Sequence, residues 1–219
     1  MHGGRVPSAA RYVRSWGQAR AKRRTLWDHV ASVCWIAGTA ALLWVGLSYA
    51  SAWQFQFRAA KRLETLIRSG GAKEAVARPH PGDLLGVLEI PRIGLSTVVV
   101  EGTDDRDLLR AVGHIPGTAL PSGAGNVGLA GHRDTWFRNL GRLRQNDVIV
   151  LRLPGDTYRY RIIGSAIVNP ENVSVLLPMH EPTLTLVTCY PFRYVGPAPR
   201  RYVVTALRED SLSSPGLVK

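Results

Sequence analysis

The sequence predicts a mainly β domain, a closed barrel or a sandwich with short helices, carried outside a membrane by one N-terminal transmembrane helix. Three observations lead there. An uncharged apolar segment runs from Val30 to Ala52. Beyond Asp83, short β-branched or alternating runs recur at near-regular spacing, separated by Gly, Pro and Asn or Asp. Long helical patterns do not alternate with these runs, as they would in a parallel βαβ sheet.

The 219 residues carry a formal charge of +12, unevenly spread. Residues 1–29 hold +6, residues 53–80 hold +4, residues 81–208 only +3, and the tail after them −1. The basicity therefore flanks the apolar segment. A nucleic-acid reader would carry it as a stripe with a binding motif. Neither is present, so no nucleic-acid partner is expected.

In chain order, residues 1–29 form a basic leader with Arg5, Arg11, Arg14, Arg20, Lys22, Arg23 and Arg24. Residues 30–52 exceed the roughly 20 apolar residues that span a bilayer as a helix. Trp27, Trp44, Tyr49 and Trp53 lie near the ends of this segment or within it. The basic leader places the N-terminus in the cytoplasm and the rest of the chain outside. Ala50-Ser51-Ala52 resembles a small-residue cleavage site, but the apolar run is longer than a signal peptide needs. An uncleaved single-pass anchor is the expectation. Residues 53–82 read as a helical stalk (Phe55, Phe57, Leu63 and Leu66 against Arg58, Lys61 and Arg62). Gly70-Gly71 would break it, and Pro79, Pro81 and Gly82 close a linker.

Residues 83–208 are one domain's length. Strand candidates are Leu84–Ile90, Ser96–Glu101, Asn126–Gly131, Val148–Leu153, Thr157–Val168, Thr183–Thr188 and Tyr202–Leu207. Asp104–Val112 and Thr135–Leu143 read as short helical pieces, the first capped by Asp104 or Asp105. Residues 209–219 read as a flexible tail.

Chemistry centres on Cys189, at the end of an alternating apolar run that starts at Thr183. The only other cysteine, Cys34, lies in the apolar segment. A lone cysteine in an exported domain makes no intramolecular disulfide, which leaves an inert buried thiol or a nucleophile. A cysteine nucleophile needs a proton-transfer partner and a group to meet the developing oxyanion. His132 follows a strand candidate, and Arg201 opens the last one, twelve residues after the cysteine. Strand alternation puts adjacent side chains on opposite faces, so either Arg201 or its neighbour Arg200 faces a groove. His114, near a turn, and His180, in a Pro-rich loop, are rival histidines with structural or substrate-adjacent roles.

The run Thr185-Leu186-Val187-Thr188-Cys189, the upstream Gly131-His132 and the downstream Arg201 together resemble the sortases, cysteine transpeptidases of bacterial envelopes. Tyr190-Pro191-Phe192, the Gly196-Pro197-Ala198-Pro199 turn and the N-terminal anchor are most similar to class D sortases. The resemblance spans residues 83–207 and implies a closed eight-stranded β-barrel. It implies that Cys189 attacks the carbonyl of a threonine in a Leu-Pro-x-Thr-Ala or Leu-Pro-x-Thr-Gly-like sorting signal. The thioacyl-enzyme then passes the protein to an amine, such as a peptidoglycan stem peptide or another protein. His132 would act as acid and then base, and Arg201 would hold substrate or oxyanion. Thr188, Ala130, Gly131 and Tyr190 would line the substrate site. Residues 166–182 correspond to the loop that shapes the sorting-signal pocket in the family.

Some sortases bind calcium through acids placed before the histidine and in that loop. Residues 116–130 contain no Asp or Glu, and Glu171 alone makes a poor site for a hard cation. No metal and no cofactor are expected. Two other readings of the same residues are a thiol peptidase, in which water resolves the acyl-enzyme, and a non-catalytic peptide-binding envelope module. An L,D-transpeptidase is excluded because its usual signature is absent around Cys189.

Overall fold

The computed structural model of the protein describes residues 9–69 and 79–209. It has two compact units, Met1–Ser51 and Ala52–Lys219. The first eight residues, the Gly70-Gly71 break and the tail from Ser211 lie outside the described residues.

Helix α1 (Ala9–Ser69) enters both units. In the first unit, apolar side chains stand exposed around the helix, with Trp35 at 78% and Leu42 at 75%. A helix that is apolar all round needs an apolar surrounding. This one is long and apolar enough to cross a membrane.

In the second unit, the end of α1 packs on the barrel. Gln56, Ala59 and Leu63 recur at three- and four-residue spacing, which puts them on one helix face. Ala59 and Leu63 are buried with Val98, Val100 and Ala111. Gln56 Oε1 accepts from the Val98 amide (2.9 Å), while its Nε2 donates to Thr97 Oγ1 (3.1 Å) and to the Arg110 carbonyl. Arg58, Lys61 and Arg62 remain exposed. The segment read from sequence as a stalk is therefore part of the folded unit.

Eight strands follow: β1 (Leu84–Ile90), β2 (Leu95–Glu101), β3 (Val112–His114), β4 (Asn126–Ala130), β5 (Val148–Leu153), β6 (Asp156–Val168), β7 (Thr183–Tyr190) and β8 (Arg200–Arg208). They close into a barrel in the order β1-β2-β3-β4-β7-β8-β6-β5. The β2/β3 and β4/β7 pairs are parallel and the others antiparallel. The closed eight-stranded barrel expected from the resemblance is present.

Seven strand candidates match to within a residue or two at their ends. The eighth strand, β3, was hidden. Its three residues follow directly on α2 (Asp105–Arg110), and Val112 was read as the end of that helix. The Val99↔Val112 register with β2 draws it into the sheet. Asp104 occupies the N-cap position of α2, but its side chain makes no capping bond. Thr135–Leu143 is a series of turns ending in a 3-10 turn at Leu140–Arg142, and fully buried Phe137 and Leu140 pin it to the core.

The core fills the barrel with alternate residues of each strand, including Val127 and Leu129, Leu184 and Leu186, Val204 and Ala206. Each fully buried aliphatic side chain contributes about 1.5–3 kcal/mol. That packing makes the strand ends a rigid frame for what projects outward.

Candidate active site

Strand pairing decides which sequence-predicted residues come together. In β7, Leu184 and Leu186 point into the core. The period of two therefore turns Thr188 inward and Cys189 outward. In β8, Val204 and Ala206 point inward, so Arg201 projects outward. Cys189 and Arg201 are direct antiparallel partners, and partners across a ladder share a face. Arg200 pairs with Tyr190 instead and lays its guanidinium over the Tyr190 ring at 5.9 Å.

The third residue arrives from β4. Its parallel register with β7 runs from Asn126↔Thr183 to Ala130↔Val187. Two bonds carry the match past the strand end. The Gly131 amide donates to the Val187 carbonyl (3.2 Å), and Thr188 Oγ1 donates to the Gly131 carbonyl (2.7 Å). The next residue, His132, comes abreast of Cys189. Val127 and Leu129 point inward, so alternation along β4 aims residue 132 outward. The His132 carbonyl accepts from the amides of Phe137 (3.0 Å) and Thr135 (3.4 Å), which turn the chain away. Cys189, His132 and Arg201 are all half-buried. Three neighbouring strand ends thus present a thiol, an imidazole and a guanidinium on one outer face.

Gly131 is required by packing: a Cβ there would lie 2.8 Å from the Phe137 ring. Ala130 projects on the Cys189 side at the rim of the ladder. Thr188 is buried, with its hydroxyl on the Gly131 carbonyl. Tyr190 packs in an aromatic cluster at the barrel end, 5.8 Å from Phe192 and 6.2 Å from Tyr202 between ring centroids.

The outer face of β4 and β7 is roofed. A Cβ on Gly128 would meet Thr118 Cγ2 at 2.9 Å and Leu176 Cδ2 at 3.1 Å, from the β3–β4 and β6–β7 connections. Asn126 pins the second of these. Its Nδ2 donates to the carbonyls of Val175 (3.0 Å) and Leu177 (3.2 Å), and its Oδ1 accepts from Thr185 Oγ1 (2.7 Å). The roof exposes Val173, Leu177 and Met179, an apolar rim suited to an extended peptide.

The rival histidines separate. His114 is 1% exposed, with Nδ1 2.7 Å from Glu101 Oε2 and Nε2 2.9 Å from the Ala119 carbonyl. It ties β3 to β2 and to the segment that roofs Gly128. His180 is exposed on the β6–β7 connection. Sequence reasoning missed Asn126 and Arg133. The polar pair Arg133-Asp134 directly after His132 was the available signal for the second.

Residues 88–209 match the sortase domain family. The chain is 41% identical over 136 residues to sortase D of Bacillus subtilis (strain 168), covering 62% of this chain and 69% of that protein. A solved Clostridium perfringens sortase D5 transpeptidase superposes with a TM-score of 0.64 at 27% identity, over 71% of this chain and 98% of that one. A lid mutant of Corynebacterium diphtheriae sortase A gives a TM-score of 0.55 at 30% identity, over 61% and 74% of the respective chains. With a family match over most of the barrel and a relative this similar, the chain belongs to the sortase family of cysteine transpeptidases.

Proposed function

We propose that Cys189, His132 and Arg201 carry out the transpeptidation, on a Leu-Pro-x-Thr-Ala or Leu-Pro-x-Thr-Gly-like sorting signal. The supporting observation is the direct pairing of Cys189 with Arg201 on the barrel's outer face, with His132 brought abreast by the β4/β7 register. Cys34, the other cysteine of the chain, lies in the apolar part of α1, so Cys189 is the barrel's one cysteine and its nucleophile.

The peptide lies extended across the strand ends beside Cys189, against the apolar rim that the pinned β6–β7 connection exposes. The Cys189 sulfur, as thiolate, adds to the threonine carbonyl and places negative charge on its oxygen. Arg201 meets that charge. Its Nη1 donates to the carbonyls of Ala198 (3.2 Å) and Arg200 (3.1 Å), which hold the side chain beside the thiol. Among the described residues, no acceptor pairs with its Nε or Nη2. The C–N bond breaks as protonated His132 gives its proton to the departing amine, leaving a thioester. Neutral His132 then takes a proton from the incoming amine, which attacks the thioester and returns Cys189 as thiolate. Thr188, though turned inward, serves this chemistry by fixing the Gly131 carbonyl and so the approach of His132.

The apolar part of α1 anchors the enzyme in the cytoplasmic membrane, with the basic leader inside and the barrel outside. Its partners are proteins bearing the sorting signal and an amine of the envelope or of another protein. Product analysis tests the proposal. The chain is incubated with Leu-Pro-x-Thr-x peptides with and without triglycine or a stem-peptide mimic. Ligated peptide is the expected product. Peptide cleaved after threonine but never ligated, with every amine, would replace transfer by hydrolysis.

A further inference from the structure

The connection between Cys189 and Arg201, residues 191–199, determines how these two groups are presented. Among the described residues, no backbone–backbone hydrogen bond holds it outside the strand ladders. Its carbonyls are taken by two arginines. Arg201 holds one, that of Ala198. Arg133 holds three: Nη1 donates to Pro191 (3.3 Å), and Nη2 donates to Tyr194 (2.8 Å) and Gly196 (3.1 Å). The same guanidinium sits 5.8 Å from the Tyr194 ring centroid, and Nε lies 3.5 Å from Asp134 Oδ1. The Arg133 side chain is only 10% exposed.

Burying a guanidinium is costly unless its donors are met, and here they are met by one loop. Arg133 is also the residue after His132. One side chain therefore joins the segment that carries the imidazole to the loop that links the thiol to Arg201. A planar fork of fixed donors holds three carbonyls in one preset geometry, whereas an ammonium on a flexible stem has rotatable donors that must first be ordered.

We propose that Arg133 is a positioning residue for the transpeptidation, a clasp between the His132 segment and the β7–β8 loop. It divides the work with Arg201. Arg201 holds the loop only at Ala198, through Nη1, and offers Nε and Nη2 to the oxyanion or substrate carbonyl. Arg133 keeps the loop in place, so the three groups stay in register through the reaction. The assignment rests on the roles given above to Cys189, His132 and Arg201. Arg133 itself touches no reacting atom.

The test uses the full chain in detergent or bilayer discs, with Arg133→Gln and Arg133→Lys beside the wild type. Two quantities are read: the rate of tryptic cleavage after Arg193, inside the loop, and kcat and KM for a cleaved Leu-Pro-x-Thr-x peptide. Thermal melts establish the folded fraction, to which kcat is referred. In Arg133→Gln, cleavage after Arg193 is expected to speed up roughly tenfold or more, with cleavage after Arg152 in β5 unchanged, since local opening is governed by local bonds. Its kcat is expected to fall more than about tenfold while KM moves less than about threefold, the signature of lost alignment rather than lost binding. Arg133→Lys, which keeps the charge without the fork, is expected to lie between. A purely structural role would leave kcat of the folded fraction intact.

Unchanged cleavage after Arg193 in Arg133→Gln would overturn the clasp. Faster loop cleavage with unchanged kcat would overturn the positioning role. A wild-type chain that cleaved no peptide through Cys189 would instead sink the catalytic assignment, and the clasp would stand or fall on the loop-cleavage rates alone.

Discussion

At the residue scale, strand pairing separates two adjacent arginines that composition cannot tell apart. Arg201 lies opposite Cys189, whereas Arg200 lies opposite Tyr190 and packs on its ring. Loss of one preorganised donor to an oxyanion costs about 10²–10³ in kcat. Arg201→Lys is therefore expected to lower kcat/KM for a fluorogenic sorting-signal peptide by roughly 100-fold, since an ammonium does not reproduce the fork. Arg200→Ala is expected to stay within about threefold, because exposed substitutions away from the reacting atoms change little. The reverse order would mean that the wrong arginine has been placed at the thiol. That Cys189, His132 and Arg201 stand at strand ends was legible in the sequence because strand ends are local, whereas alternation left Arg200 and Arg201 open and the family resemblance chose between them. Arg133 and Asn126 were not legible. The carbonyls they hold lie 49 to 63 residues away along the chain, and the Arg133-Asp134 pair marks a polar site without revealing those partners.

At the element scale, the site depends on how β4 meets β7 and on what covers them. Asn126 stands at the start of β4 and holds two carbonyls of the β6–β7 connection while accepting from Thr185. Asn126→Ala removes all three bonds and leaves the buried Thr185 hydroxyl only its long bond to the Val175 carbonyl (3.4 Å), at a cost of about 1–3 kcal/mol. Denaturant unfolding checks that value. Peptide kinetics are expected to show KM rising several-fold with kcat nearly unchanged, because the groove wall loosens while the Cys189–Arg201 pair stays in place. A fall in kcat at constant KM would shift the effect of this loop from binding to chemistry. The strands found from sequence alone run to at least five residues, and some, such as β5, bury alternate residues. Strand β3 has three residues, all buried, and no alternation to display. Only its register against β2 makes it a strand. The segment 135–143 failed for a related reason: buried Phe137 and Leu140 mimic a helix face, but the chain folds over them in turns.

At the scale of the whole molecule, the barrel is completed by the end of the helix that carries it. Without residues 52–69, Val98, Val100 and Ala111 would lose their cover and the Gln56 bonds would be gone. A chain beginning at residue 79 is expected to be less stable than one beginning at residue 52 by about 2–4 kcal/mol, mainly the burial of Leu63 and its neighbours. Paired thermal melts check this, and equal melting temperatures would show that the helix merely lies on the barrel. The sequence reading placed this segment outside the domain because Arg58, Lys61 and Arg62 made it look like a solvated spacer. Those three face solvent, while Ala59 between them faces the barrel.

The account as a whole rests on Cys189 as the nucleophile. Intact mass spectrometry of the chain after brief incubation with Leu-Pro-x-Thr-x peptides tests that most directly. The expected result is an added mass equal to the peptide cleaved after threonine, present on the wild type and absent on Cys189→Ala. An adduct that persisted on Cys189→Ala, or bound peptide with no adduct on the wild type, would contradict it.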